Sequence, residues 1–388
     1  MSRPRLLIVS SAPASENAPD GFAGRLGALE AALSRDWEVA RVSIGDASEP
    51  RHKPVLSRDL DFAGRTMRAR LRRIGSPLPS SVVRVTGLRD VIHREDPHVV
   101  LVHMPDVAHL AFCVPPAIPV VALLEENLFL HRERAILRAS PTILRRSMLL
   151  LDRGKAKRQV RRLRTRAAMI AAISSDEAAD LANFAGVRDV RVVPHGIQRH
   201  WASGDNHSNA APIDVLVVGR FDHVRNIELL DEVIRASHEI SPELKWSFVG
   251  VGAAQLRFSG PTNVALMESV PDVRPFYRSA RLAVVAPSFG SGVKTTLLQA
   301  WAAGVPVVSN SLGVAGTAAR GEHEVLLGEQ PPELALAVRR LYSDDALRAK
   351  LVSNGHRIVA MDHDVDKIMR SFSKDIERVW RDTMRVTP

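Results

Sequence analysis

Three glycine-bearing turns, each following a short apolar run, hold the residues best suited to chemistry. The richest is Pro287-Ser288-Phe289-Gly290-Ser291-Gly292-Val293-Lys294-Thr295-Thr296, directly after the apolar run 282–286. Gly290 and Gly292 let backbone amides approach an anion, Ser291 and Thr295 add hydroxyls, and Lys294 adds a positive charge where a helix over 295–303 is predicted to begin. A helix start of this kind suits a diphosphate, because its first amides are unpaired and its dipole favours negative charge. The spacing around Lys294 is not that of G-x-x-x-x-G-K-[ST], which excludes a Walker loop. A second turn, Gly219-Arg220-Phe221-Asp222-His223-Val224-Arg225, follows the run 213–218. Its cations Arg220 and Arg225 suit neutralisation of a leaving diphosphate. The third turn, 10–25, carries Gly21 and Gly24 after the run 5–9. Backbone could approach a phosphate or sugar there, but G-x-G-x-x-G is absent and a dinucleotide site is not indicated.

The elements that must position these turns alternate between β-branched runs and helical periodicity. Strands are predicted at 5–9, 37–44, 98–102, 118–124 and 167–173, with helices at 21–34 and 82–94. Residues 201–212 are polar and rich in Asn, Ser, Gly and Asp, which reads as a linker. The rhythm then restarts, with strands at 213–218, 246–249, 282–286, 306–309 and 324–327 and helices at 227–238, 295–303, 331–342, 345–356 and 365–384. Alternation of this kind implies parallel β-α-β units. The expected organisation is a first domain over 1–200, a linker over 201–212 and a second domain over 213–364, with a C-terminal helix at about 365–388 packing back on the first. Ligands in such sheets bind beyond the C-terminal strand ends, where the three turns lie.

Val218-Gly219-Arg220 with Arg225 resembles the "VGR-x-x-x-x-K" turn of the group 1, family-4 glycosyltransferases. Residues 287–316 resemble that family's "P-x-x-x-G-x-G-x-K-x-K-x-L-E-A-M-A-x-G-x-P-V-V-x-x-x-x-G-x-x-G", and 270–277 its "VPDLxPLY" turn. Ile173-Ser174-Ser175-Asp176-Glu177 and Val192-Val193-Pro194-His195-Gly196-Ile197 are similar to its "VSxxD/E" and "VVPNGV" segments, in the same order. The resemblance is clearest over 171–328 and weak over 50–82. It implies a GT-B fold, two Rossmann-like parallel-sheet domains facing each other across a cleft. It also implies a nucleotide-sugar donor held by the second domain, an acceptor held by the first, and transfer with retention of configuration. Arg220 and Lys294 would then grip the donor diphosphate, helped by Arg225 where the family usually has lysine. Gly219, Gly290, Ser291, Gly292, Val293, Thr295 and Gln299 would surround the donor. Ser291 and Gln299 stand where the family usually has a pair of glutamates, Gln299 at the ribose. His103, after the run 98–102, falls where the family has a histidine near the sugar. Glu125 and Glu126, with Gly21 and Gly24, are the acceptor-side candidates. Neither a cofactor nor a metal is implied.

The chain of 388 residues carries a net charge of +10, with 5% aromatic residues and one cysteine, Cys113. A single cysteine excludes an internal disulfide. The positive balance points to an anionic partner, and the scarcity of aromatics argues against nucleic acid, which needs stacking platforms. Arginines crowd 65–73 and 145–166, as a solvated face or as one suited to an anionic membrane and a lipid-linked acceptor. The apolar run at 6–9 is too short for a secretory signal, and 99–124 is broken by His103, Asp106, His109 and a Pro-Pro pair. A cytoplasmic protein is expected, either soluble or peripheral on the inner face of the plasma membrane. Alternatives to a transferase are a sugar-nucleotide epimerase of the same fold and a catalytically silent scaffold subunit.

Overall fold

The computed structural model describes residues 3–11, 21–44, 55–58, 85–104, 106–124, 143–198, 201, 212–221, 227–258, 263–268, 270–288 and 292–386. Most of the expected linker, and the arginines of 65–73, lie outside these residues. The chain divides into two compact units. Met1–Ala14, Leu26–Pro194 and Met369–Pro388 form the first, and His195–Ile368 makes up most of the second.

The first unit is built on β1 (Arg5–Ser10), β2 (Glu38–Ile44), β3 (Val55–Arg58), β4 (Val85–Thr86), β5 (Val99–His103), β6 (Val120–Leu124), β7 (Ala167–Ala172) and β8 (Val190–Val192). These lie side by side in the order β4-β3-β2-β1-β5-β6-β7-β8. All pairs are parallel except β3 with β4. The central strands β5 and β6 are buried along their whole length, as expected of parallel strands covered on both faces. Parallel neighbours need crossovers. Among the described residues these include α1 (Gly21–Leu33), α2 (Leu88–Glu95), α3 (Ile143–Leu163) and α4 (Ser175–Ala185).

One local reading changes, and one charged stretch takes a definite form. The helix predicted over 82–94 starts later, because Val85–Thr86 pairs as an edge strand and Gly87, at φ 89°, turns the chain before α2. The arginine-rich stretch 145–166 is largely the helix α3, whose buried side chains include Ala156, Gln159, Val160 and Leu163. Its i, i+3, i+4 and i+7 spacing was obscured by the charges between.

The second unit carries β9 (Ile213–Val218), β10 (Trp246–Gly250), β11 (Val264–Glu268), β12 (Ala280–Val285), β13 (Val307–Ser309) and β14 (Leu326–Leu327). The order is β11-β10-β9-β12-β13-β14, parallel throughout. Its helices include α5 (Ile227–Ile240), α6 (Arg274–Ser279), α7 (Thr295–Ala302), α8 (Pro331–Ser343) and α9 (Asp345–Asp362). Two apolar clusters fill this unit. One gathers Trp246, Phe248, Leu334 and Leu341, and the other gathers Tyr277, Leu297 and Trp301.

The last helix, α10 (Val365–Val386), starts in the second unit and continues in the first from Met369. Within the first unit Trp37 Nε1 donates to Ser373 Oγ at 3.1 Å, and Arg191 Nε donates to Asp375 Oδ2 at 2.6 Å. Trp380 meets Trp37 edge-on, with ring centroids 5.9 Å apart.

Candidate functional site

In the second unit the strand order reverses at β9. The chain leaves β9 for β10 and β11 on one side, then returns to β12 on the other. Ala280, Leu282 and Ala283 of β12 pair with Ile213, Val215 and Leu216 of β9, so the two strands end beside each other. A crevice beyond such a switch point is where open α/β sheets bind ligands. The sequence puts one cation, Arg220, just past the end of β9 and another, Lys294, at the start of the helix that follows β12.

Arg220 follows β9 and is exposed. Its backbone neighbours are fixed: Gly219 N–H donates to Val249 O at 3.2 Å, and Phe221 N–H donates to Val251 O at 2.7 Å. Phe221 is buried against Phe248, with centroids 5.5 Å apart. The β9 and β10 ends approach so closely that a Cβ on Gly250, which has φ 142°, would lie 2.0 Å from Gly219 O. Only glycine fits there, which is why β10 ends in a Gly-x-Gly turn.

Lys294 stands at the N-cap of α7, half-buried, with Nζ donating to Gly292 O at 2.9 Å. Gly292 is buried at φ 68°, a left-handed conformation that glycine adopts without steric cost. Thr295 and Gln299 follow on α7, one turn apart and both half-buried. Val293 contributes only its backbone to the turn, since its side chain lies in the core with Leu297 and Trp301. Arg225, Gly290 and Ser291 lie outside the described residues.

Sequence reasoning missed two supports. Asn310, after β13, donates through Nδ2 to Pro287 O at 2.9 Å and accepts at Oδ1 from Gly313 N–H at 2.8 Å. Ser309 Oγ donates to Val285 O at 2.6 Å. Together they tie the start of the glycine loop to the next strand. A buried Ser-Asn pair ending an apolar strand is the signal that was available. The second support is Tyr277, whose hydroxyl lies 3.2 Å from Thr296 O and 3.5 Å from Gln299 Oε1. Burial pushes its phenol far above the ordinary range, so it remains a proton donor beside α7.

The first unit has its own switch point, at β1 between β2 and β5. His103 ends β5 there, with Nδ1 2.8 Å from Ser10 Oγ, and neither residue has exposed surface. A histidine expected beside the sugar is thus packed between strand ends, without surface to touch a substrate in this conformation. The half-buried Asp106 follows, accepting at Oδ1 from Ser11 Oγ at 2.7 Å. Burial raises its carboxyl pKa, opposed by the Ser11 hydrogen bond. Between them Met104 takes φ 86°, a conformation costly for a residue with a side chain. Gly21 and Gly24 lie in the opening turns of α1 rather than in the loop before it. Glu125 and Glu126 lie outside the described residues. No group of three or more His, Cys, Asp or Glu side chains among the described residues is arranged to hold a metal.

Residues 212–344 match the family model described as "Glycosyl transferases group 1". Two curated relatives are both named D-inositol 3-phosphate glycosyltransferase. The one from Nocardiopsis dassonvillei is 28% identical over 46% of this chain and 48% of its own length. The one from Geodermatophilus obscurus is 31% identical over 39% of this chain and 32% of its own length. The chain therefore spans about half, or less, of the curated relatives it matches. Among solved structures, sucrose-phosphate synthase from Thermosynechococcus elongatus superposes with TM-score 0.71 and 17% identity, covering 97% of this chain and 99% of that one. Anabaena Alr3699/HepE, solved with UDP and glucose, gives TM-score 0.66 and 15% identity over 97% of this chain and 100% of its own. At these identities the structural likeness establishes the fold, which is GT-B.

Proposed function

From the match of residues 212–344 to the group 1 glycosyl transferases, we propose that the protein transfers a sugar from a nucleoside-diphosphate donor, with retention, to a glycan, lipid-linked or small-molecule acceptor. The observation that carries this reading is the placement of Arg220 just past the end of β9 and of Lys294 at the N-cap of α7, the helix that follows β12, the strand paired with β9 at the switch point of the second unit. As the bond between C1 and the diphosphate breaks, negative charge builds on the departing phosphate. Fixed cations and the α7 amides stabilise that charge more than they stabilise the intact donor, and this difference lowers the barrier. Gln299 holds the ribose one turn along α7. With no glutamate at 291 or 299, catalysis rests on leaving-group stabilisation and positioning. No metal is given a part, and chelation is expected to leave turnover unchanged.

Anabaena Alr3699/HepE has been solved with UDP-glucose, so a uridine donor is the first to test. Thermal-shift measurements with UDP, GDP, ADP and TDP should show a rise in melting temperature for one base, because a ligand that binds only the folded state stabilises it. Incubation with the matching nucleotide sugar should then give transfer or slow hydrolysis. No shift with any of the four removes the donor site. A shift without turnover favours the scaffold reading, which Gln299 in place of the usual acid supports. Isomerisation of the sugar favours an epimerase.

A further inference from the structure

The arginine-rich helix of the first unit takes no part in the site above. α3 carries Arg145, Arg146, Arg153, Lys155, Lys157, Arg158, Arg161 and Arg162 against one acid, Asp152. Over its C-terminal two-thirds, Ala156, Gln159, Val160 and Leu163 are buried. At about 100° per residue these four share one side of the helix. Leu150, Leu151, Gly154, Arg158, Arg161 and Arg162 lie on the opposite side and are exposed. The two leucines are 66% and 59% exposed, among the most exposed large apolar residues described. An ordinary solvated helix carries its leucines on the buried side. Here an adjacent leucine pair stands on the outer side, followed over the next three turns by cations.

We propose that this outer face of α3 docks on an anionic lipid bilayer, with Leu150 and Leu151 entering the headgroup–acyl boundary and Arg158 and Arg162 facing the anionic headgroups. Apolar side chains at one end and arginines along the rest complement a surface that offers both a hydrocarbon layer and negative charge. Nucleic acid offers charge and bases to stack rather than a hydrocarbon layer, and no aromatic residue on α3 would stack a base. A merely solvated face leaves the exposed leucines without a role. Docking does not depend on which sugar or acceptor the second unit serves.

Flotation of the full chain tests this, using phosphatidylcholine vesicles in which about one lipid in three is phosphatidylglycerol. Leu150→Ser/Leu151→Ser and Arg158→Glu/Arg162→Glu are compared with the parent, each checked for an unchanged melting curve. The parent should float on anionic vesicles and remain unbound with phosphatidylcholine alone. The leucine pair should weaken binding roughly tenfold at every salt concentration, since its contribution is apolar. The charge reversal should weaken it by roughly tenfold or more at low salt, with a smaller effect as salt rises. Failure of the parent to float overturns the proposal. So does flotation of both folded variants at parental level, which moves any membrane contact to another surface. Loss on charge reversal with no effect of the leucines overturns the insertion and leaves a simple electrostatic contact.

Discussion

The two units place their sheet switch points to opposite ends. At the β9/β12 junction of the second unit, Arg220 just past β9 is exposed and Lys294, at the start of the helix after β12, is half-buried. The equivalent β1/β5 junction of the first unit carries Ser10 and His103, hydrogen-bonded to each other and fully buried. Parallel topology supplies the crevice in both. Whether it becomes a charged site or a packed joint depends on the side chains at and just past the strand ends. Lys294 stands at a helix start beyond its strand, whereas His103 is the last residue of its own strand and is fully buried against Ser10.

The largest expected effect is at the charged junction. Arg220→Ala and Lys294→Ala should each lower turnover on the order of 10²-fold or more with the melting curve little changed, because they act on charge that develops during reaction. Near-normal rates in both would erase the distinction between the junctions. The packed junction should respond in the reverse way. His103→Ala should cost about 2 kcal/mol or more in denaturant unfolding, through a cavity and a lost buried hydrogen bond. If stability holds and only turnover falls, His103 reaches substrate after all.

A smaller effect is expected at Gln299. Gln299→Ala should raise the donor KM more than it lowers kcat, since a ribose does not change during reaction. Tyr277→Phe should shift KM in the same direction but less, because Thr296 O competes for the same proton. An unchanged KM in Gln299→Ala would unseat the nucleotide from α7.

The smallest effect compares the units through pH. In the first, burial and then Arg5 hold the His98 pKa below its ordinary value, and His98 Nδ1 accepts from Arg5 N–H at 2.9 Å. In the second, burial lowers His363, whose Nδ1 lies 2.6 Å from His195 O. Both are thus neutral when folded, while unfolding returns them to about 6.5. Below that pH the unfolded chain binds more protons, so this stability is complete above about 6.5 and is lost as pH falls toward the folded values. Melting temperature should drop between about pH 7.5 and 5.5, and His363→Gln should flatten part of the slope. A flat profile for the parent would contradict the depressed pKa values.

Much of the fold was legible in the residues. The β-branched runs of β1, β5, β6, β9 and β12 are short, apolar and bounded by turns, and such runs have few alternatives to buried parallel strands. The glycine turns before Arg220 and Lys294 were equally plain, because backbone approach and positive φ require glycine wherever the chain folds. Three features were not legible. Helix α3 hid its buried stripe among charges, since periodicity is read from apolar residues and eight of its positions are Lys or Arg. Tyr277 and Asn310 support the site from positions 22 and 23 residues away from Gln299 and Pro287, and only packing brings such residues together. His103 shows the limit most clearly. Residue type and position after a strand are local properties, but whether an imidazole faces a ligand or a neighbouring serine depends on what the sheet packs beside it.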